Sequence, residues 1–328
     1  MAPSSSSSSS SPYRKGQEVL RCEPFAYVVN TEYLNAVCDY CLRNTIKEEN
    51  EGIKNTSGDL DKCPKCEVVY YCNSICQKKA WDAYHLEECA YIRKLVPKYY
   101  KGYWFKNKNF AWWQCNAIVP PSGILDIIRF MARIILKLNL HGGDRDFVEL
   151  PDGRKRYFQD LMSHHDKIVK DYRKLLEAMD ADLRDCLGNE LVPSTEDVFD
   201  IYGKVKINSH SIEYDGKIIG RGLYLDASVL DHSCAPNTSW IFNGKEMIIT
   251  ATDTVNDFTD CRITYISYLA RSTRERRQDL MKNYYFYCDC SKCQDIEADA
   301  LKSSILFVVF QVQLLVLNVI NKFKFIHY

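Results

Sequence analysis

The chain lacks a charge bias: 43 lysines and arginines face 43 aspartates and glutamates, so no net field draws it to nucleic acid or to an anionic membrane. It also lacks a basic start leading into an apolar stretch, so no secretory signal and no oxidising compartment are expected. No internal repeat points to a solenoid or a propeller. No helical stretch carries base-reading spacing, so sequence-specific nucleic-acid binding is not expected either. The apolar residues 305–320 are short for a membrane span and are interrupted by Gln311, Gln313 and Asn318, so no span is expected there. What the chain does have is length and cysteine. Its 328 residues can bury a real core, as one large domain or two modest ones. Of its fifteen cysteines, several fall at close spacings, a pattern that fits thiolate metal sites in a reducing cell better than a disulfide framework.

Two pairs, Cys38-x2-Cys41 and Cys63-x2-Cys66, have the spacing of a tight turn whose sulfurs reach one tetrahedral metal. Cys72 and Cys76 stand four apart, as do His85 and Cys89, a spacing that on a helix puts both side chains on one face. Together these eight side chains can close two zinc sites with no position left for water or substrate, so the metals are expected to be structural. Spacing does not fix which pair joins which. Further on, Cys288-x-Cys290-x2-Cys293 brings three thiolates together and needs a fourth ligand from elsewhere.

The remainder of the chain reads as mixed helix and strand. Residues 2–12 are mostly serine and have nothing to bury. Residues 18–30 read as short strands interrupted by Pro24. Residues 44–61 are too polar to pack and are expected to form a loop. Helices are expected over residues 125–138, where Ile127, Ile128, Met131, Ile134, Ile135 and Leu138 recur at helical spacing, over about 157–179, and after Glu196. Residues 208–253 turn strand-rich, with hairpin turns expected at Asp215-Gly216 and Asn243-Gly244.

Particular runs resemble known families. Cys63-Pro64-Lys65-Cys66, Tyr70-Tyr71-Cys72, the run from Cys76 through Lys79 to Trp81, and His85-Leu86-Glu87-Glu88-Cys89 resemble a MYND finger. That resemblance implies interleaved pairing, Cys38 and Cys41 with Cys72 and Cys76, and Cys63 and Cys66 with His85 and Cys89. Leu230-Asp231-His232-Ser233-Cys234-Ala235-Pro236-Asn237 resembles the N-H-S-C-x-P-N segment of SET-domain lysine methyltransferases. Ile263-Thr264-Tyr265-Ile266 resembles the strand carrying their active-site tyrosine, residues 274–277 the charged helix after it, and residues 284–293 their post-SET segment. A SET domain split by a MYND finger marks the SET and MYND domain-containing family, which the chain resembles from about Lys15 to Cys293.

The resemblance implies an α+β fold: a split SET-domain β-fold with a helical insert, an inserted MYND zinc finger and a post-SET zinc site. It divides the chain into a serine-rich tail (1–12), the N-terminal part of the SET domain (13–37), the finger (38–89), the rest of the SET domain (90–280), the post-SET segment (281–294) and an apolar tail (295–328). It implies a protein-lysine N-methyltransferase using S-adenosylmethionine, with Tyr265 catalytic and Cys234 completing a third zinc site with Cys288, Cys290 and Cys293. Cofactor contacts carried over are His164, Asn208, Asp231, His232, Tyr284 and Phe286. The implied partners are histone or other protein lysines and peptides at the finger, for a monomer of cytoplasm and nucleus. Methyl transfer is an in-line displacement, so it needs a neutral amine held against the methyl group, and an aromatic channel that strips water from the lysine lowers its pKa.

The chain departs from the family in three places. Asp231 stands where many members have asparagine, and an ionised carboxylate cannot donate. Serines precede Arg14-Lys15-Gly16-Gln17-Glu18, where the family has a G-x-G turn, while Gly220-Arg221-Gly222-Leu223 matches the family's ordinary glycine pair. The family's C-terminal helical domain is replaced by the apolar tail, and an incomplete or mis-spliced product would account for both ends. The missing turn also motivates an alternative function, a catalytically impaired adaptor that binds peptides through its finger.

Overall fold

The computed structural model describes residues 12–43, 60–100, 121–140, 142–267 and 269–297. The serine tail up to residue 11, the polar loop over 44–59 and the apolar residues 305–320 lie outside the described residues. The chain divides into two compact units, Met1–Leu230 with Thr238–Asp260, and Asp231–Asn237 with Cys261–Tyr328.

In the first unit, β1 (Glu18–Cys22) and β2 (Ala26–Val29) are separated at Pro24, as a residue without an N–H requires. They enter different sheets. β3 (Asp61–Lys62) and β4 (Tyr70–Tyr71) form a small hairpin in the finger, followed by α1 (Ser74–Ala80), a π-helical turn (Trp81–His85) and α2 (Leu86–Tyr100). α3 (Pro121–Leu140) extends the expected helix at both ends. Its apolar spacing suggests one buried stripe, yet every residue from 128 to 136 is buried, Arg129 and Arg133 among them. A helix covered on several sides is internal rather than a surface element.

The helix expected from about residue 157 begins later. β5 (Phe147–Glu149) pairs with β6 (Lys155–Tyr157), the Asp160 carboxylate takes the Tyr157 N–H at 2.8 Å, and His164 has a left-handed φ of 50°. These local bonds outcompete helical spacing, and α4 runs over His165–Leu187 instead. α5 (Thr195–Asn208) is capped by Ser194, whose hydroxyl accepts from the Asp197 N–H.

The strand-rich stretch forms two antiparallel hairpins. β7 (Ser209–Tyr214) and β8 (Lys217–Leu223) turn at Asp215-Gly216, whose φ values of 49° and 69° suit a two-residue hairpin turn. β8 also pairs with β2, giving the order β2-β8-β7. At Gly220 a Cβ would meet the Val28 carbonyl oxygen at 2.6 Å, so this member of the glycine pair is required by strand packing. In the second unit, β9 (Asp231–His232) pairs in parallel with a two-residue strand considered below. The other hairpin of the first unit joins β10 (Thr238–Asn243) to β11 (Glu246–Ala251), with the order β1-β11-β10 and a turn one residue later than expected.

The second unit is small. β12 (Arg262–Ile263) is the partner of β9. The strand expected to carry Tyr265 stops short of it, because the Tyr265 N–H bonds the His232 ring rather than a neighbouring strand. α6 (Thr273–Tyr284) starts with a capping box between Ser272 and Glu275, and α7 (Ser291–Gln294) follows. Its core gathers Cys234, Ile266, Leu280, Cys288 and Cys293, with Tyr265, Tyr284 and Phe286 packed against it. Among the described residues no helix is long and apolar enough to cross a membrane.

Candidate functional site

The two finger knuckles close alike. The Leu42 amide bonds the Cys38 carbonyl at 3.0 Å and the Glu67 amide bonds the Cys63 carbonyl at 3.0 Å. Leu42 and Glu67 both take positive φ, 60° and 57°, a conformation that costs non-glycine residues about 1–2 kcal/mol each. Four converging metal donors would offset that cost. Cys72 and Cys76 do not share a helix face as their spacing suggests. Cys72 precedes the cap residue Asn73, whose side chain accepts from the Ile75 and Cys76 amides at 3.0 Å and opens α1 there. His85 ends the π-helical turn and Cys89 lies on α2, so that pair is helical.

Among the described residues, ligand atoms gather in three groups, each within 4.8 Å: Cys38, Cys41, Cys72 and Cys76; Cys63, Cys66, His85 and Cys89; and Cys234, Cys288, Cys290 and Cys293. The finger pairs are thus interleaved. The Cys41 and Cys72 sulfurs lie 3.5 Å apart and those of Cys63 and Cys89 3.9 Å. His85 Nε2 is 3.4 Å from the Cys63 sulfur and 3.6 Å from that of Cys66. In the third group Cys234 is 4.0 Å from Cys288 and 3.6 Å from Cys293. Zinc–sulfur bonds of about 2.3 Å at tetrahedral angles put two sulfurs about 3.8 Å apart, whereas a disulfide needs about 2 Å. The donor sets therefore fit zinc and not cross-linking.

Basic groups surround the third group. Arg276, buried in α6, points Nη2 at the Cys293 sulfur at 3.5 Å, and Arg277 donates to the Cys288 carbonyl at 2.8 Å. A cation beside four thiolates offsets their charge.

The same unit places four candidate residues side by side. His232 Nδ1 lies 2.9 Å from the Tyr265 N–H and must accept from it, which leaves the ring proton on Nε2, 3.2 Å from the Cys234 sulfur. Burial, with the Arg276 charge adding to it, pushes His232 down to about 4, in keeping with this neutral tautomer. Both ring nitrogens are therefore engaged, so His232 offers a ligand its ring face and main chain rather than a polar edge. The Tyr265 ring lies 4.9 Å from that of Tyr284, 5.3 Å from that of His232 and 6.3 Å, edge on, from that of Phe286. The Tyr284 hydroxyl donates to the Tyr265 carbonyl at 3.0 Å. Burial, reinforced by Asp231 and Tyr284, raises the Tyr265 phenol above its ordinary range, so it stays protonated and able to donate. Asp231 itself pairs through β9 with Arg262.

The remaining two candidates belong to the first unit. His164, left-handed, precedes α4 rather than lying on a helix face. Asn208 ends α5 and is not a turn residue. Its amide donates to the Met162 and Lys204 carbonyls, both at 2.8 Å, so both its N–H groups are spent and it presents the amide oxygen. A Cβ at Gly203 would meet the Ser163 carbonyl at 2.5 Å, so α5 also packs closely on the loop that carries His164.

Sequence reasoning missed a buried ionic cluster in the first unit. Asp39, Glu88, Arg129 and Arg133 are all at most 4 % exposed and mutually paired. The available signal was a pair of arginines four apart inside an apolar helix, since such charges are buried only when paired.

Residues 38–89 match the MYND finger family. Over 297 residues the chain is 31 % identical to histone-lysine N-methyltransferase SMYD3 of Mus musculus, covering 88 % of this chain and 59 % of that protein. It is 27 % identical to histone-lysine N-methyltransferase ASHR1 of Arabidopsis thaliana, covering 88 % and 54 %. It is 26 % identical to N-lysine methyltransferase SMYD2 of Homo sapiens, covering 90 % and 59 %. The chain thus spans less than two thirds of the length of these relatives.

Proposed function

We propose that the chain is a member of the SET and MYND domain-containing family, a protein-lysine N-methyltransferase that uses S-adenosylmethionine and holds three structural zinc ions. On this reading the SET domain comprises residues 13–37 and 90–280, split by the finger at 38–89 and followed by the post-SET segment at 281–294. Zinc would be held by the finger's two groups and by Cys234, Cys288, Cys290 and Cys293. Histone or other protein lysines would be the substrates, and partner peptides would dock on the finger. The enzyme would act as a monomer in cytoplasm and nucleus.

One observation carries the proposal: a single histidine ties the main chain of Tyr265 to the sulfur of Cys234. The four-thiol group and the tyrosine are built as one piece, so filling the metal centre fixes the tyrosine. S-adenosylmethionine, when bound, supplies a methyl group on a positively charged sulfur. Tyr284, Phe286 and the His232 ring face present aromatic faces suited to such a cation. The protonated Tyr265 hydroxyl can donate to an acceptor or orient an incoming amine. Aromatic walls that exclude water favour a neutral lysine, whose lone pair is needed for attack. Asn208, with its donors spent, can accept from a ligand's ammonium through its oxygen. His164, Asp231 and the His232 main chain would complete the cofactor contacts.

Calorimetry with S-adenosylmethionine tests this directly. Binding is expected for the wild-type chain and is expected to weaken at least tenfold in Cys290→Ser, which opens the third centre. Absence of any binding heat from a zinc-loaded, folded chain would leave only the peptide-binding finger and refute the enzyme reading.

A further inference from the structure

The two finger centres are chemically separate, yet one side chain touches a residue adjoining each. Asp39 follows the ligand Cys38, and its amide is fixed by the Tyr70 carbonyl at 2.8 Å. Glu88 precedes the ligand Cys89, and its carboxylate takes His85 Nδ1 at 3.1 Å, which leaves Nε2 for the Cys63 and Cys66 side of the second centre. The Arg133 guanidinium spans the two. Nη2 donates to Asp39 Oδ2 at 2.6 Å and to Glu88 Oε2 at 2.7 Å, while Nε donates to Glu88 Oε1 at 2.9 Å. Nη1 is anchored on the Tyr27 carbonyl at 2.6 Å, and the Tyr84 ring covers the guanidinium at 3.9 Å. The whole fork is 4 % exposed. Arg129, one turn earlier, makes only longer contacts to the same carboxylates, both at 3.4 Å, and donates to the Val29 carbonyl at 2.9 Å.

A buried guanidinium has little freedom to serve one carboxylate without moving the other, since each departure leaves an unpaired buried charge. Displacing Asp39 by opening the first knuckle therefore shifts Arg133, releases Glu88 and frees the ring that orients the His85 ligand. We propose that Arg133 is a positioning residue that couples the finger's two metal centres, so that each holds its metal more tightly when the other is filled. The coupling rests on the zinc reading above but not on methyl transfer. It requires no contact between the metals, only a shared second layer with one good arrangement.

Cobalt(II) substitution in the full chain separates the centres. The group with His85 is a three-sulfur, one-nitrogen site whose visible bands differ from those of the two four-sulfur sites. Its cobalt affinity is read from those bands by competition with a chelator. Two changes touch only the first centre: Cys41→Ser removes a ligand, and Asp39→Asn removes the charge facing Arg133. Each is expected to weaken cobalt at the His85 centre by about 5- to 150-fold, the usual range of coupling between sites. In an Arg133→Lys background, where the fork is lost and the charge kept, Asp39→Asn is expected to move that affinity less than about twofold. The third centre, Cys234 with Cys288, Cys290 and Cys293, should keep its affinity throughout and reports general loss of folding. If Arg133→Lys does not fold, the two single variants still decide. An unmoved His85 centre in both overturns the coupling while leaving the zinc reading intact. Absence of the three-sulfur, one-nitrogen bands in the wild-type chain overturns both.

Discussion

At the scale of single residues, Tyr265 gathers most of the chemistry. Its main chain is fixed by His232 and Tyr284, and its ring is packed among three others, so its hydroxyl is held in a set position. Tyr265→Phe keeps the packing and removes one hydrogen-bonding group, worth about 1–3 kcal/mol in a dry site. A fall in kcat of about 10- to 100-fold is expected, with an unchanged melting temperature; an unchanged kcat would remove the hydroxyl from the mechanism. Because burial raises this phenol above its ordinary value, it should remain protonated past pH of about 10. Difference ultraviolet titration of wild type against Tyr265→Phe should therefore show no tyrosinate signal from this residue between about pH 8 and 10. A signal there would mean that the ring is solvated. The residue types were readable in the order Ile263-Thr264-Tyr265-Ile266, but the early end of the strand was not. A side-chain acceptor from a distant segment, His232 Nδ1, takes the amide that a ladder would have used.

At the scale of elements, local pattern read well wherever burial follows one face. The hairpins of residues 209–223 and 238–251 and the helix Thr195–Asn208 fall close to their alternation and turn signals. It read poorly where polar side chains bond their own backbone, as before α4, and where a helix is buried on several sides, as in α3. Ile128 in α3 is fully buried, so Ile128→Ala should cost about 2–5 kcal/mol in denaturant unfolding; less than about 1 kcal/mol would mean that the helix is peripheral. Gly220→Ala would press a Cβ onto the Val28 carbonyl, a backbone atom that cannot step aside. A loss of about 1–3 kcal/mol is expected, and a neutral result would contradict the close β2–β8 approach. In the finger, the four ligand pairs stand out by spacing alone, but their grouping does not, because two knuckles of the same form are interchangeable until the chain is folded.

At the scale of the whole molecule, three donor groups should hold three zinc ions per chain, two in the finger and one beside Tyr265. Metal analysis of Cys293→Ser should find about two, with the finger's His85-containing centre intact. A wild-type count of two would leave the finger and remove the post-SET centre. The buried arginine fork that links the finger centres was legible only as two arginines four apart in an apolar helix, since its partners Asp39 and Glu88 lie 94 and 45 residues from Arg133 and are brought there only by folding. The central claim is methyl transfer to lysine, and its most direct measurement follows tritium from labelled S-adenosylmethionine into histones and peptide arrays, with mass spectrometry locating the modified residue. The zinc-loaded wild-type chain is predicted to label lysine side chains and Tyr265→Phe to label them at least tenfold more slowly. A folded, zinc-loaded wild-type chain as silent as the variant would contradict the account.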